Sequence, residues 1–322
     1  MSSPRCTNCH RSLEALEPLR HRLLCGDSRD PKQVDRLFDG TPANVVITSP
    51  PYASQRQYDE SSGFKPIAVE EYVAWYRAVA STIASHLAPD GSYFLNIKAH
   101  AEDGERSLYV MDLVIAHKRQ WGWMFRDEFI WKHSGFPGEY RYRHRNQFEP
   151  IYHFTREHHI KHRPLAVGHA SDLIRDNGGG RGHGGSRMVA TNQENDADAG
   201  NSLPFRSGIA QVGNVIECAV NTESTGHKAA FPRGLPEFFV SAFTDPGDVV
   251  YDPFMGSGTS MAAAHVLGRS GFGCEISPAY CDVILERLAH LGASSIRLAA
   301  TGQTFEDVAQ QRQAAAHQEA IA

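Results

Sequence analysis

Thr48-Ser49-Pro50-Pro51-Tyr52 follows directly on the short apolar run Val45-Val46-Ile47. A β-branched run that stops at Ser-Pro-Pro reads as a buried strand feeding a rigid loop. Two consecutive prolines fix φ and remove two backbone N–H donors, while their carbonyls remain. The loop therefore offers acceptors with few competing donors, and an aromatic ring follows at once. Such a rim suits a planar group bearing an exocyclic amine, such as a nucleobase. Read alone, the stretch is equally a proline turn with a packing tyrosine.

A second stretch, about two hundred residues on, decides between these: Asp252-Pro253-Phe254-Met255-Gly256-Ser257-Gly258-Thr259. It lies between the apolar run Val249-Val250-Tyr251 and a helical pattern over 260–267. Gly256 and Gly258 allow a tight turn and close approach of backbone to a ligand. Glu275 ends the next expected strand, Ser270–Glu275, where a carboxylate can bind both hydroxyls of a ribose. The dinucleotide pattern Gly-x-Gly-x-x-Gly is absent, since Met stands at 261, and no Gly-Lys-Ser/Thr follows. Asp252 puts negative charge where phosphates would be repelled. The stretch thus favours a cationic adenosine-type ligand such as S-adenosylmethionine.

The rest of the chain fits an α/β domain. Its 322 residues, 41% hydrophobic, suffice for one large domain with an inserted subdomain. Net charge is −5, so any nucleic-acid surface must be local. No run approaches a membrane span, and the N-terminus has no apolar signal core, so a cytoplasmic protein with reduced cysteines is expected. Cys6, Cys9, His21 and Cys25 have spacing open to zinc, although Cys25 sits in an apolar run that reads as a strand. No metal site is expected.

Taken in order, residues 1–20 form a polar leader. A short strand ends at Gly26-Asp27, and Asp27 is open to two roles, capping the next helix or lining a ligand pocket. Helical spacing over Val69–Leu87 marks an amphipathic helix whose tyrosines read as core. Pro89-Asp90-Gly91 is an expected turn. Strand at 92–97, helix at 108–119 and strand at 124–131 then alternate, which argues for a parallel doubly wound sheet. Phe148–Thr155 is expected to pair with 124–131 as a hairpin.

Residues 118–163 hold ten lysines and arginines against five acidic residues, interleaved with aromatics. Arg141, Arg143 and Arg145 stand together there, and a basic aromatic cluster fits a phosphate backbone with bases nearby. Arg56, in the loop after Tyr52, is a further candidate phosphate contact. The Gly-, Asn- and Asp-rich stretch 176–202 cannot bury a core. Its Arg181 and Arg187 make the first half basic and open to a polyanion. Order returns from Val212, and the Gln/Ala-rich tail closes the chain.

Together the two stretches resemble the signature motifs of amino-group DNA methyltransferases. Their order, catalytic motif first and cofactor motif last, resembles the beta group of that family. His227-Lys228-Ala229-Ala230-Phe231-Pro232 is similar to the segment before the cofactor strand, and Asp27 matches an early Gly-Asp. The resemblance spans about residues 21–291. It implies a Rossmann-like S-adenosylmethionine-dependent methyltransferase sheet with a target-recognition insertion. The implied division is 21–156 for the catalytic half, 157–211 for target recognition, 212–291 for the cofactor half and 292–322 for a tail.

In the implied mechanism the target base leaves the duplex stack. Tyr52 stacks on it, and Ser49 Oγ with the Pro50 carbonyl accepts hydrogen bonds from the exocyclic amine, on a loop stiffened by Pro51. Cofactor contacts fall to Asp27, Thr48, His227, Phe231 and Pro232 on one side. Asp252, Phe254, Gly256, Ser257, Gly258, Thr259 and Glu275 supply the other. Cytosine-C5 chemistry needs a nucleophilic Cys after Pro, and none of the six cysteines follows a proline. Ser at 49 goes in the family mainly with cytosine N4, and Asp mainly with adenine N6. The expected activity is site-specific N4-cytosine methylation of double-stranded DNA, with N6-adenine methylation, a small-molecule methyltransferase and a catalytically silent binding protein as alternatives. A homodimer and a functionally paired restriction endonuclease are partners the resemblance allows.

Overall fold

The computed structural model describes residues 19–53, 64–102, 104–135, 142–170, 209–218, 231–293 and 301–311 except 306 and 309. The first third holds β1 (Arg22–Cys25), α1 (Pro31–Phe38), β2 (Ala43–Thr48), α2 (Tyr72–His86) and β3 (Leu87–Asn96). Next come the two-residue strands β4 (Ala101–Glu102) and β5 (Glu105–Arg106), then α3 (Tyr109–Arg119), β6 (Met124–Lys132) and β7 (Phe148–Thr155). After them follow β8 (His169–Ala170), β9 (Ile209–Ala210) and β10 (Val215–Glu217). The chain closes with α4 (Gly234–Phe243), β11 (Val249–Asp252), α5 (Thr259–Val266), β12 (Ser270–Glu275) and α6 (Pro278–His290).

Eight strands form one sheet in the order β1-β12-β11-β2-β3-β7-β6-β10. β2 and β11 are adjacent interior strands, and their side chains alternate sides as period-two strands must. Val46 and Tyr251 join Phe38, Tyr76 and Val79 on the α1–α2–α3 face. Val45, Ile47 and Val250 join Phe239, Phe243 and Ala264 on the α4–α5 face. Both faces are covered, which is why these strands read as continuous apolar runs.

The sheet is mixed, where the strand–helix alternation argued for an all-parallel one. β7 runs antiparallel to both β3 and β6, the expected 124–155 hairpin inserted beside β3. Pro150 is tolerated inside β7 because it faces Ile130 in a non-hydrogen-bonded pair, Ile130 N–H going to Asn214 O at 2.8 Å, and because the register with β3 stops at Asn96–Ile151, one residue short of it. The expected turn at Pro89-Asp90-Gly91 is instead a bulge within β3: Ala43 faces Leu87, yet Val45 already faces Ser92.

Residues 160–167 are tied to the α4 face. Arg163 N–H donates to Ala242 O at 2.6 Å, and Lys161 Nζ reaches Asp248 at 2.5 Å. β8 and β9 pair antiparallel as a two-stranded neck, which brings residues 170 and 209 together. No helix among the described residues is long and apolar enough to cross a membrane.

Candidate active site

β2 and β11 are neighbours in register, Val45 opposite Val250 and Val46 opposite Tyr251. Their C-terminal ends therefore deliver Ser49-Pro50-Pro51-Tyr52 and the glycine loop side by side, at the sheet edge where α/β proteins bind ligands. The two are joined directly: Thr48 Oγ1 donates to Asp252 Oδ1 at 2.7 Å across 204 residues of sequence.

Asp252 is 1% exposed. Besides Thr48, its carboxylate accepts from Phe254 N–H at 3.0 Å and from Ser260 Oγ at 2.6 Å. Burial pushes its pKa up to about 6 against the pull of these bonds. The geometry makes Asp252 a strut between the two loops, facing Thr48 and α5, where the sequence reading gave its charge to a ligand.

Glu275 is the carboxylate that faces the glycine loop. Oε2 accepts from Gly256 N–H at 2.7 Å and Oε1 from Ser277 N–H at 2.9 Å. A carboxylate has about four lone-pair sites, so acceptor capacity remains for a ribose hydroxyl. Burial raises the carboxyl pKa, and bonds from the Ser277, Gly256 and Ile276 amides oppose it. Gly258 turns the loop into α5 at φ +77°, and a Cβ there would stand 3.0 Å from Ile284. Gly273 lies so close beneath the loop that a Cβ would overlap Met255 at 1.8 Å. Phe254 stacks on Trp75 at 5.8 Å, and the Arg29 guanidinium lies 5.8 Å from the same indole. Asp27 is held by Arg29 at 2.6 Å. It does not cap α1; that part is taken by Asp30, which accepts from the Lys32 and Gln33 amides.

Among the described residues three side-chain hydrogen bonds hold the proline loop. Thr48 is fixed by Asp252, Tyr72 Oη donates to Pro51 O at 2.7 Å, and Tyr52 Oη donates to Glu149 Oε2 at 3.0 Å. Lys98 Nζ in turn donates to Glu149 Oε1 at 2.6 Å. Among the described residues the Ser49 hydroxyl has no hydrogen-bond partner. Tyr72, Glu149 and Lys98 were missed in the sequence. Tyr72 shares the helical spacing of core residues, and the one signal for Glu149 is an acidic residue inside an apolar strand.

Beside this edge Arg106, Arg143, His144, Arg145 and Phe148 line a basic cleft of about 490 Å³. Arg145 itself is bent back onto the carbonyls of Ser134 and Gly135, the latter at 3.1 Å. Phe231 and Pro232 lead into α4, where Phe231 packs against the α4-face core. Arg56, Arg141, Arg181, Arg187 and His227 lie outside the described residues, as do Cys6 and Cys9. Both nitrogens of His21 are engaged, Nδ1 with Gly271 N–H and Nε2 with His265, each at 2.9 Å. Among the described residues no cluster could hold a metal.

The sequence model of the N6/N4 methyltransferase family, described as DNA methylase, matches residues 43–286 and so spans both loops. The chain belongs to this DNA methylase family. Its order of motifs, proline loop before glycine loop, is that of the beta group. Type II methyltransferase M.PvuII of Proteus hauseri is 25% identical over 270 residues, 76% of this chain and 77% of its own. Type II methyltransferase M.Cfr9I of Citrobacter freundii is 26% identical over 323 residues, 90% of this chain and 95% of its own. Among solved structures, PvuII DNA methyltransferase (cytosine-N4-specific) superimposes with a TM-score of 0.59 at 21% identity, covering 84% of this chain and 89% of that one. The complex of M1.HpyAVI with SAM gives 0.52 at 15% identity, covering 84% and 99%. At these identities the structural likeness is one of fold.

Proposed function

We propose that this DNA methylase transfers a methyl group from S-adenosylmethionine to the exocyclic N4 of cytosine in double-stranded DNA, acting on a base turned out of the helix. The observation that carries the reading is the Thr48–Asp252 contact at 2.7 Å, which places an acceptor-rich proline loop against a glycine loop. The residues fit the cofactor: Glu275 offers lone pairs to a ribose, and Phe254 with Trp75 offers an aromatic wall to a purine. The structural neighbour M1.HpyAVI, described as a complex with SAM, supports the same assignment. When bound, the cofactor supplies an electrophilic methyl.

The chain's own residues do the rest. Tyr52 stacks on the target base. Ser49 Oγ and the Pro50 carbonyl accept from its amine, which turns the nitrogen lone pair toward the methyl and stabilises the positive charge that develops there. Ser49 supports cytosine, as does the likeness to a protein described as cytosine-N4-specific. Arg143 and Arg145, with Arg106 beside them, would contact phosphates from the basic cleft. Arg56, Arg141, Arg181 and Arg187 join them in this reading. Target recognition falls to 157–211, with the β8–β9 neck at its base.

The test is a nucleoside analysis. Purified protein is incubated with unmethylated genomic DNA and cofactor carrying a labelled methyl, and the digest is resolved by mass spectrometry. Label in N4-methylcytosine is expected. Label in N6-methyladenine would overturn the cytosine assignment and keep the site, whereas cofactor binding without any label would overturn the enzymatic reading.

A further inference from the structure

Glu149 and Lys98 form a buried ion pair at the substrate edge of the sheet, and the mechanism above does not use it. The Nζ–Oε1 distance is 2.6 Å, with the lysine side chain 15% exposed and the glutamate 7%. The other carboxylate oxygen accepts from Tyr52 Oη at 3.0 Å. We propose that Glu149 and Lys98 are positioning residues that fix the plane of the Tyr52 ring as the surface on which the target base stacks. This rests on the role given to Tyr52 under Proposed function.

Three lines of geometry carry it. First, the pair is mounted rigidly. Glu149 is the second residue of β7, opposite Trp131, and Lys98 follows β3 with its carbonyl held by Tyr109 Oη at 3.2 Å. Asn96 Nδ2 bridges the same two strands by donating to Pro150 O at 3.2 Å. Second, the contact sets the tip of the Tyr52 ring. The ring packs against the α1–α2–α3 core, the two preceding prolines bring no N–H to the loop, and the bond to Glu149 adds a directional hold at the hydroxyl. A carboxylate can only accept, so the phenol must donate, and one orientation of the hydroxyl is selected. Third, stability alone does not account for the pair. A buried ion pair is seldom better than apolar residues of equal volume, because desolvation offsets the attraction. This one stands where β2, β3 and β7 converge on the reacting loop, and charged groups buried at such an edge are candidates for function.

The test uses the full chain, genomic DNA and labelled cofactor. Lys98→Met/Glu149→Leu replaces the pair with apolar side chains of similar volume, and Tyr52→Phe removes the anchored hydroxyl alone. Each is expected to lower kcat about tenfold, the scale of a small misplacement at a reacting centre. Cofactor affinity and melting temperature should stay near wild type. Combined, the three substitutions should lose no more than the worse of the two, since both cut the same link. Lys98→Met alone leaves the carboxylate without its cation, and kcat should fall while cofactor affinity holds. A wild-type rate in Tyr52→Phe, losses that multiply in the combined variant, or a Lys98→Met loss that falls on cofactor affinity and spares kcat would each overturn the proposal. Ser49→Ala in the same assay separates the two readings. If it retains activity, the role of the whole proline loop fails. If it is inactive while Tyr52→Phe is normal, only the positioning role fails.

Discussion

The two signature loops leave neighbouring strands and are held in opposite ways. The glycine loop is held through its own backbone N–H groups: Gly258 N–H donates to Met255 O within the loop and Met255 N–H to Cys274 O of β12, each at 2.9 Å, and Gly256 N–H to Glu275 of β12 at 2.7 Å. The proline loop has no N–H at positions 50 and 51. It is held by side chains from elsewhere, through Asp252, Tyr72 and Glu149. A loop that keeps its acceptors for a substrate has few donors with which to fix itself. Its rigidity is therefore a property of the sheet and of α2. The glycine loop's rigidity comes through its own backbone donors and the neighbouring strand β12.

The largest effect expected from this contrast is on activity. Ser49→Ala removes an acceptor for the developing charge and touches none of the three anchors. Methyl transfer should fall by about 100-fold or more, with cofactor affinity unchanged by calorimetry. The next largest is on stability, at the one point the loops share. Asp252→Ala leaves the Thr48 and Ser260 hydroxyls and the Phe254 amide without their buried acceptor. We expect a loss of about 3 kcal/mol or more in denaturant unfolding, with Asp252→Asn losing much less. A loss below about 1 kcal/mol would mean that the loops are held independently.

The same contrast explains what was legible in the sequence. The glycine loop, the strands on either side of it and Glu275 at the end of β12 are local patterns, and they stand where local reading put them. Val45–Ile47 marked β2, and the hairpin of β6 and β7 followed from two alternating runs. The anchors of the proline loop were not legible, because each acts across a long stretch of chain: 204 residues for Asp252 and 97 for Glu149. Tyr72 was read as core, and it is fully buried; the hydroxyl at its tip gives it its second part. β10 has only three residues, too few for a periodicity to show. Asp90 and Gly91 are turn residues by type, but here they bulge within a strand whose ends both stay paired.

Acid should act on β7 and β11 with opposite sign. Burial pushes His117, in α3, down to about 4 and His153, in β7, down to about 3, from an ordinary value of 6.5. Their folded pKa lies below the unfolded one, so their contribution is complete above pH 6.5 and is lost as pH falls. His21, beside β1, has the same sign, at about 4. Asp252 is the reverse, raised from 3.8 to about 6. Its contribution is complete below pH 3.8 and is lost as pH rises through about 6. Between pH 7 and 5.5, acid therefore loosens β7 while relieving the burial of Asp252 in β11. Amide hydrogen exchange at the two pH values, corrected for intrinsic rates, should show protection falling in β7 relative to β11. Equal losses in both strands would break the comparison.

The smallest effects come from one probe per loop, each removing a single support. Gly258→Ala forces an L side chain to φ +77° against Ile284. The strain is about 1–2 kcal/mol and lies within the loop itself. Cofactor affinity should fall several-fold, and kcat at saturating cofactor should change little. Tyr72→Phe removes one hydroxyl that donates to Pro51 O from α2. A lost hydrogen bond of this kind is about 1 kcal/mol, and the apolar packing of the ring survives. Here cofactor affinity should hold and kcat should fall a few-fold, because the displaced carbonyl belongs to the loop that meets the base. The two variants thus make opposite entries in cofactor affinity and turnover, although each perturbs the protein by a similar free energy. If Tyr72→Phe instead weakened cofactor and spared turnover, the proline loop would be serving the cofactor side of the site, and α2 would brace both loops together.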